Sequence, residues 1–155
     1  MNSLGSILLV EDDPTDVFLM ERSFAKAEIR HKLCIAKNGA EAIEILSRAD
    51  TCDPEKEEPL PCFVVLDLKL PLKSGLEVLK WMRDQALIKR IPVIVFTSSL
   101  DRGDINGAYD FGANGYFLKT GSLAKMKELA VLWRDYWLVH NEAPVLIKSE
   151  FQTFS

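Results

Sequence analysis

Residues 62–67 read Cys62-Phe63-Val64-Val65-Leu66-Asp67, an unbroken apolar run that ends on a carboxylate. A strand with one wet face alternates apolar and polar residues. A continuous run marks a strand covered on both faces, the central position in a parallel sheet flanked by helices. The flanking sequence agrees. Upstream, Ser6–Val10 is an apolar strand, the first in the chain. A helix is predicted from about Pro14: Asp13 suits its cap, Pro14 its first turn and Asp16 the positive end of its dipole. Val17, Met20, Phe24 and Ala27 fall three or four apart and make its buried stripe. Lys32–Ala36 and Ala40–Ala49 follow as strand and helix. Downstream come a helix over Glu77–Leu87, a strand over Ile91–Phe96 and a short helix over Asp104–Phe111. A strand over Gly115–Leu118 and a long helix from Ser122 to about Val139 complete five β/α units.

The 155 residues suit one well-buried domain, taken as 1–140, with 141–155 as a tail and not a second domain. Asp50–Pro61 is acidic and proline-rich, as a surface loop is. With 48% hydrophobic and 27% charged residues, the composition is that of a globular protein. No apolar run approaches the roughly 20 residues of a membrane span. Met1–Ser6 lacks a signal-peptide core, so the expected location is cytoplasmic. A net charge of −4 gives no electrostatic footprint for nucleic acid. Cys34, Cys52 and Cys62 form no C-x-x-C pair and only two histidines accompany them, which favours reduced thiols over a zinc site.

In a doubly wound sheet, chemistry collects at the carboxyl ends of the strands. Here the first strand ends in Glu11-Asp12-Asp13, the third in Asp67, the fourth in Thr97-Ser98 and the fifth in Lys119. Carboxylates brought within a few ångströms repel one another, and a hard divalent cation resolves the conflict. Oxygen-only ligands with room for water suit magnesium. Asp67 could then act as a nucleophile toward a phosphoryl group, forming an acyl phosphate, with Lys119 and Thr97 on the phosphoryl oxygens. Helix capping accounts for Asp13 but not for Asp67, which is followed by L-K-L-P and no immediate helix pattern.

The chain resembles the receiver domains of two-component response regulators from Ser6 to about Val139. The resemblance rests on I-L-L-V-E-D-D (7–13), V-V-L-D-L-K-L-P-L-K-S-G (64–75), V-I-V-F-T-S (93–98) and G-A-N-G-Y-F-L-K (112–119), in that order. It implies a flavodoxin-like (βα)5 fold with strand order 2-1-3-4-5. It also implies that Asp67 is the phosphoacceptor and that Mg2+ is held by Asp12 directly, Glu11 through water, Asp67, and the backbone carbonyl of Lys69. Thr97 and Lys119 would bind the phosphoryl oxygens, Tyr116 would be the switch aromatic, and Pro71 and Gly75 fit the turn after the acceptor. The family usually has proline in a cis bond after the lysine; here Thr120 follows, and a non-proline cis bond costs about 2.5–4 kcal/mol, which favours trans. The missing proline, the acidic loop and the final L-W-R-D-Y-W resemble the regulators associated with bacterial phytochromes. That narrower likeness suggests a sensor histidine kinase, a light-sensing phytochrome, as phosphodonor.

Other readings fit less well. A haloacid-dehalogenase-type phosphatase would carry a second aspartate where Lys69 stands. A nucleotide or flavin site would carry a glycine-rich turn in place of Glu11-Asp12-Asp13-Pro14. A scaffold receiver that works by dimerisation without phosphorylation is the alternative within the family, although such a protein should have lost the acceptor, the acid pair or the lysine. With no room for a DNA-binding or catalytic output domain, signalling by protein contact is expected, and no enzymatic turnover of a separate substrate. The last helix carries two apolar stripes. Leu123, Met126, Ala130, Trp133 and Trp137 are expected to dock on the sheet, and Leu129, Leu132, Tyr136 and Val139 to pair two copies into a homodimer. A tail folding back through Val145–Phe151 to cover the second stripe is the competing expectation.

Overall fold

The computed structural model describes residues 5–49 and 60–146. Most of the acidic loop, with Cys52, and the end of the tail, with Ile147 and Phe151, lie outside the described residues. Five strands, β1 (Ser6–Val10), β2 (Lys32–Ala36), β3 (Val64–Leu66), β4 (Val93–Thr97) and β5 (Gly115–Leu118), form one parallel sheet in the order β2-β1-β3-β4-β5. The helices are α1 (Pro14–Lys26), α2 (Gly39–Ala49), α3 (Gly75–Arg83), α4 (Arg102–Asp110) and α5 (Leu123–Trp133). The expected order 2-1-3-4-5 is the observed one.

Strand alternation divides the core in two. In β1, Leu8 and Val10 face α2 and α3 and meet Leu46, Val78, Leu79 and Met82, while Ile7 and Leu9 face α1 and α5. On that second face Trp133 is buried and meets Phe24, Phe96 and Phe117 edge-on, with ring centroids 6.4, 5.6 and 5.5 Å away. Both faces of β3 are buried, as its continuous apolar run requires.

Several boundaries differ from the sequence expectation. Strand β4 begins after Pro92, which has no N–H for the ladder, although its carbonyl still accepts from Val64 N at 2.9 Å. Strand β3 spans only Val64–Leu66, although Cys62 N already donates to Ser6 O at 2.8 Å and Phe63 O accepts from Leu8 N at 3.2 Å. Helix α3 ends at Arg83 and not Leu87, because the chain turns back through a 3₁₀ turn (Ile88–Arg90) that buries Leu87 and Ile88 in the α2–α3 face. Helix α4 starts two residues earlier than expected, capped by Asp101 accepting from Asp104 N.

The last helix is not one continuous α-helix. After Trp133 it widens into a π-helix over Arg134–His140, which changes the phase of the apolar stripes. Leu129, expected on the second stripe, is buried with the docked residues. Leu132, Tyr136 and Val139 are 50, 56 and 63% exposed. The described part of the tail does not cover them. It runs to the opposite face of the sheet, where Val145 O accepts from Arg90 Nη1 at 3.1 Å and Leu146 packs on the α2–α3 core.

Candidate functional site

Among the described residues four polar side chains are buried: Ser23, Glu11, Asp67 and Thr97. The last three end β1, β3 and β4 at one rim of the sheet. Burying carboxylates is costly unless something compensates, so this concentration marks the rim as the place where the fold accepts a cost. Asp12, next to Glu11, is exposed. Carboxylate oxygens of Glu11, Asp12 and Asp67 all lie within 4.8 Å of one another.

Lys119, at the end of β5, enters this cluster with its side chain 13% exposed. Its Nζ lies 2.9 Å from Asp67 Oδ2 and 2.9 Å from Asp16 Oδ2, and it also pairs with Glu11 Oε1. Burial alone would lower the Lys119 pKa, but its hydrogen bonds to Glu11, Asp67 and Asp16 outweigh burial and hold it above the usual lysine range. Burial pushes Glu11 up to about 7 and the charge of Asp67 adds to the rise, while Lys119 opposes it. One ammonium therefore serves several crowded carboxylates. The arrangement is short of positive charge on the side where Asp12 opens to solvent, and oxygen-only donors of this kind suit a hard divalent cation.

The neighbouring groups form a second network. Thr97 is fully buried; its Oγ1 accepts from Ser99 N at 3.4 Å and its carbonyl accepts from Lys119 N at 2.8 Å. Lys69 N donates to Asp67 Oδ1 at 3.3 Å, and Lys69 Nζ stands 3.9 Å from Asp104 Oδ2. Tyr116 packs against Leu68, Val95 and Ala108 and donates its hydroxyl to Ser99 O at 2.8 Å. Burial raises the Tyr116 pKa, so the donor keeps its proton near neutral pH. Ser99 Oγ in turn donates to Asp104 Oδ2 at 2.6 Å. Gly75 cannot carry a side chain, because a Cβ there would lie 2.2 Å from Asp67 O. All described peptide bonds are trans, Lys119–Thr120 included.

The structure thus brings Glu11, Asp12, Asp67 and Lys119 together, sets Lys69 beside Asp67, and holds Thr97 at the end of β4 and Tyr116 in the neighbouring strand β5. Asp16 was missed as a site residue. In the sequence it reads only as a charge favouring the positive end of α1. Its signal was position: it is the third helical residue, and side chains there tilt back toward the helix N-terminus, which in α1 points at the rim.

A five-stranded parallel sheet with this acidic rim and a lysine from the last strand defines a receiver of the response-regulator class. The model of the family described as "Response regulator receiver domain" matches residues 7–130, and the chain belongs to that family. It is 33% identical over 132 residues to the response regulator Rcp1 of Synechocystis sp., covering 85% of this chain and 88% of that one. Among solved structures it resembles the phosphorylated cyanobacterial phytochrome response regulator RcpA, with a TM-score of 0.81 and 30% identity over 91% of this chain and 99% of that one. It also resembles the Mn(2+)-bound form of Rcp1, with a TM-score of 0.78 and 32% identity over 91% and 99%. The chain is therefore related to phytochrome response regulators. Among the described residues no helix is long and apolar enough to cross a membrane.

Proposed function

We propose that this receiver accepts a phosphoryl group on the Asp67 carboxylate and signals by protein contact. The observation that carries the reading is the convergence of Glu11, Asp12 and Asp67 around a single ammonium, Lys119. Glu11, Asp12, Asp67 and the backbone carbonyl of Lys69 would hold Mg2+, which when bound supplies positive charge to the phosphoryl oxygens. An Asp67 oxygen attacks phosphorus as the bond to the donor, a phosphohistidine nitrogen or an acyl oxygen, breaks. The donor leaves with that electron pair, and nothing is oxidised or reduced. Lys119 bears on the phosphoryl oxygens as a point charge and Thr97 reaches them with its hydroxyl. The Tyr116–Ser99–Asp104 chain of hydrogen bonds offers a path from Thr97 to α4, the kind of two-state element that a local charge change can bias. The protein is a phosphoacceptor and not an enzyme acting on a separate substrate.

The donor is a sensor histidine kinase in the cytoplasm, and the likeness to RcpA and Rcp1 supports a phytochrome. The Mn(2+) in the Rcp1 structure supports divalent cation binding here. Acetyl phosphate with magnesium should add one phosphoryl group, and Asp67→Asn should abolish it. Mass spectrometry that found the same label in the Asn variant would remove Asp67 from its role.

The protein also pairs with itself through the last helix. The exposed Leu132, Tyr136 and Val139, which the described tail leaves open, support this reading. Sedimentation at micromolar concentration should show a dimer, and Leu132→Glu should yield monomer that is still phosphorylated. A wild-type monomer, phosphorylated or not, would end the idea.

A further inference from the structure

The Lys119 ammonium faces three carboxylates, and two of them, Glu11 and Asp67, belong to the trio whose oxygens converge. A divalent cation and an ammonium compete for those two, since both draw on the same pair of carboxylate charges and repel each other at short range. Asp16 stands outside the trio. Its Oδ2 lies 2.9 Å from Lys119 Nζ, on the first turn of α1, so its charge remains for Lys119 whatever the trio holds. There is room on that side. A cavity of about 20 Å³ is bounded by Asp16, Leu19, Phe96, Lys119, Thr120 and Met126 among others. That is enough for one water. The Phe96 ring centroid is 5.9 Å from Lys119 Nζ, so an ammonium displaced toward the cavity still meets an aromatic face.

We propose that Asp16 is a positioning residue for Lys119: it receives the ammonium when a divalent cation takes up Glu11 and Asp67. The inference rests on the reading of Glu11, Asp12 and Asp67 as the cation site. Asp16 touches neither the cation nor the phosphoryl group and acts through Lys119 alone. With Asp16 in place, Lys119 gives up two partners but keeps the third, so its charge stays compensated and it remains at the rim where phosphoryl oxygens arrive. Without it, the ammonium falls back on Glu11 and Asp67 and opposes cation entry.

The test is a double-mutant cycle read by calorimetric titration of the full chain with Mg2+ alone, in wild type, Asp16→Asn, Lys119→Ala and the double variant. Asp16→Asn, close to isosteric, should weaken Mg2+ binding by roughly fivefold when Lys119 is present. In the Lys119→Ala background the same substitution should change affinity by less than about twofold. Asp16→Glu, which keeps the carboxylate, should return the affinity most of the way to wild type. Equal losses in both backgrounds would show Asp16 acting on the cation by its own charge and would overturn the proposal, as would no loss in either. A wild-type protein that takes up no Mg2+ would instead overturn the cation-site reading, and the proposal with it. That failure is distinguishable because the wild-type titration alone reveals it.

Discussion

Lys119 and Arg83 are both partly buried cations that tie distant segments together, yet their partners differ in kind. Arg83, at the end of α3, donates to neutral acceptors: Gly112 O at 3.1 and 2.7 Å, Lys89 O at 2.9 Å, Ile91 O at 3.0 Å and Asn114 Oδ1 at 3.1 Å. Burial lowers its pKa, but no nearby carboxylate competes for it among those partners. The planar fork is matched bond for bond, and the segments entering β4 and β5 are pinned under α3. Lys119 is a point charge among carboxylates that outnumber it. The first arrangement is electrostatically complete and serves structure. The second is short of positive charge, a deficit that a hard divalent cation would fill.

The largest test of that contrast is Lys119→Ala. Some phosphorylation of Asp67 should persist, but the conformational response should vanish, seen as identical NMR shifts on α4 and β5 with and without acetyl phosphate. Removing the ammonium also leaves Glu11 and Asp67 facing each other, at a cost of about 2–3 kcal/mol in a metal-free thermal melt. Magnesium should restore much of that stability. A full response in this variant would mean the switch does not read Lys119.

Arg83→Ala should cost about 2 kcal/mol in urea unfolding, through carbonyls of Gly112 and Ile91 left without their donor. Here magnesium should recover nothing, and phosphorylation should proceed normally. Arg83→Lys should regain only part of the loss, since an ammonium cannot reproduce the fork. If added magnesium rescued Arg83→Ala, the two cations would not be separable in the way described.

The smallest effect concerns His31, a potential third cation. Its Nδ1 is buried without a partner, and burial lowers its pKa below the ordinary 6.5. Above that value it contributes nothing to pH dependence. As pH falls through it, the unfolded chain takes up a proton that the folded chain resists, so stability declines until the lower folded value is passed. His31→Gln should flatten a small slope in the urea midpoint between pH 7 and 5. An unchanged slope would assign the acid sensitivity to other groups.

Much of the site was legible because its residues sit at fixed places in a periodic chain. Glu11, Asp67, Thr97 and Lys119 each end an apolar strand, and parallel strands share one carboxyl rim. Asp16 was legible only as a first-turn position; that it reaches Lys119 depends on how the end of β5 meets α1 in the folded chain. Arg83 was likewise silent in the sequence: a charged residue at the end of a helix looks like a solvated one until Gly112 and Ile91 are folded against it. Gly112 shows the same dependence, with φ +93 and a Cβ position 2.7 Å from Arg83 Nε.

By itself, the sequence determined the α/β alternation, the strand order once the family likeness was drawn, and the rim on which the acids gather. The alternation and the rim follow from period, burial and capping, which are local properties of the chain; the strand order follows from the family likeness alone. Only the tertiary structure decided which carboxylates share Lys119, where α3 stops, and that Leu129 docks while Leu132, Tyr136 and Val139 stay exposed. The π-helix at Arg134–His140 resets the phase of the last stripe, and the tail turns to the α2–α3 face. Such outcomes depend on packing between segments far apart in the chain, and no local pattern encodes them.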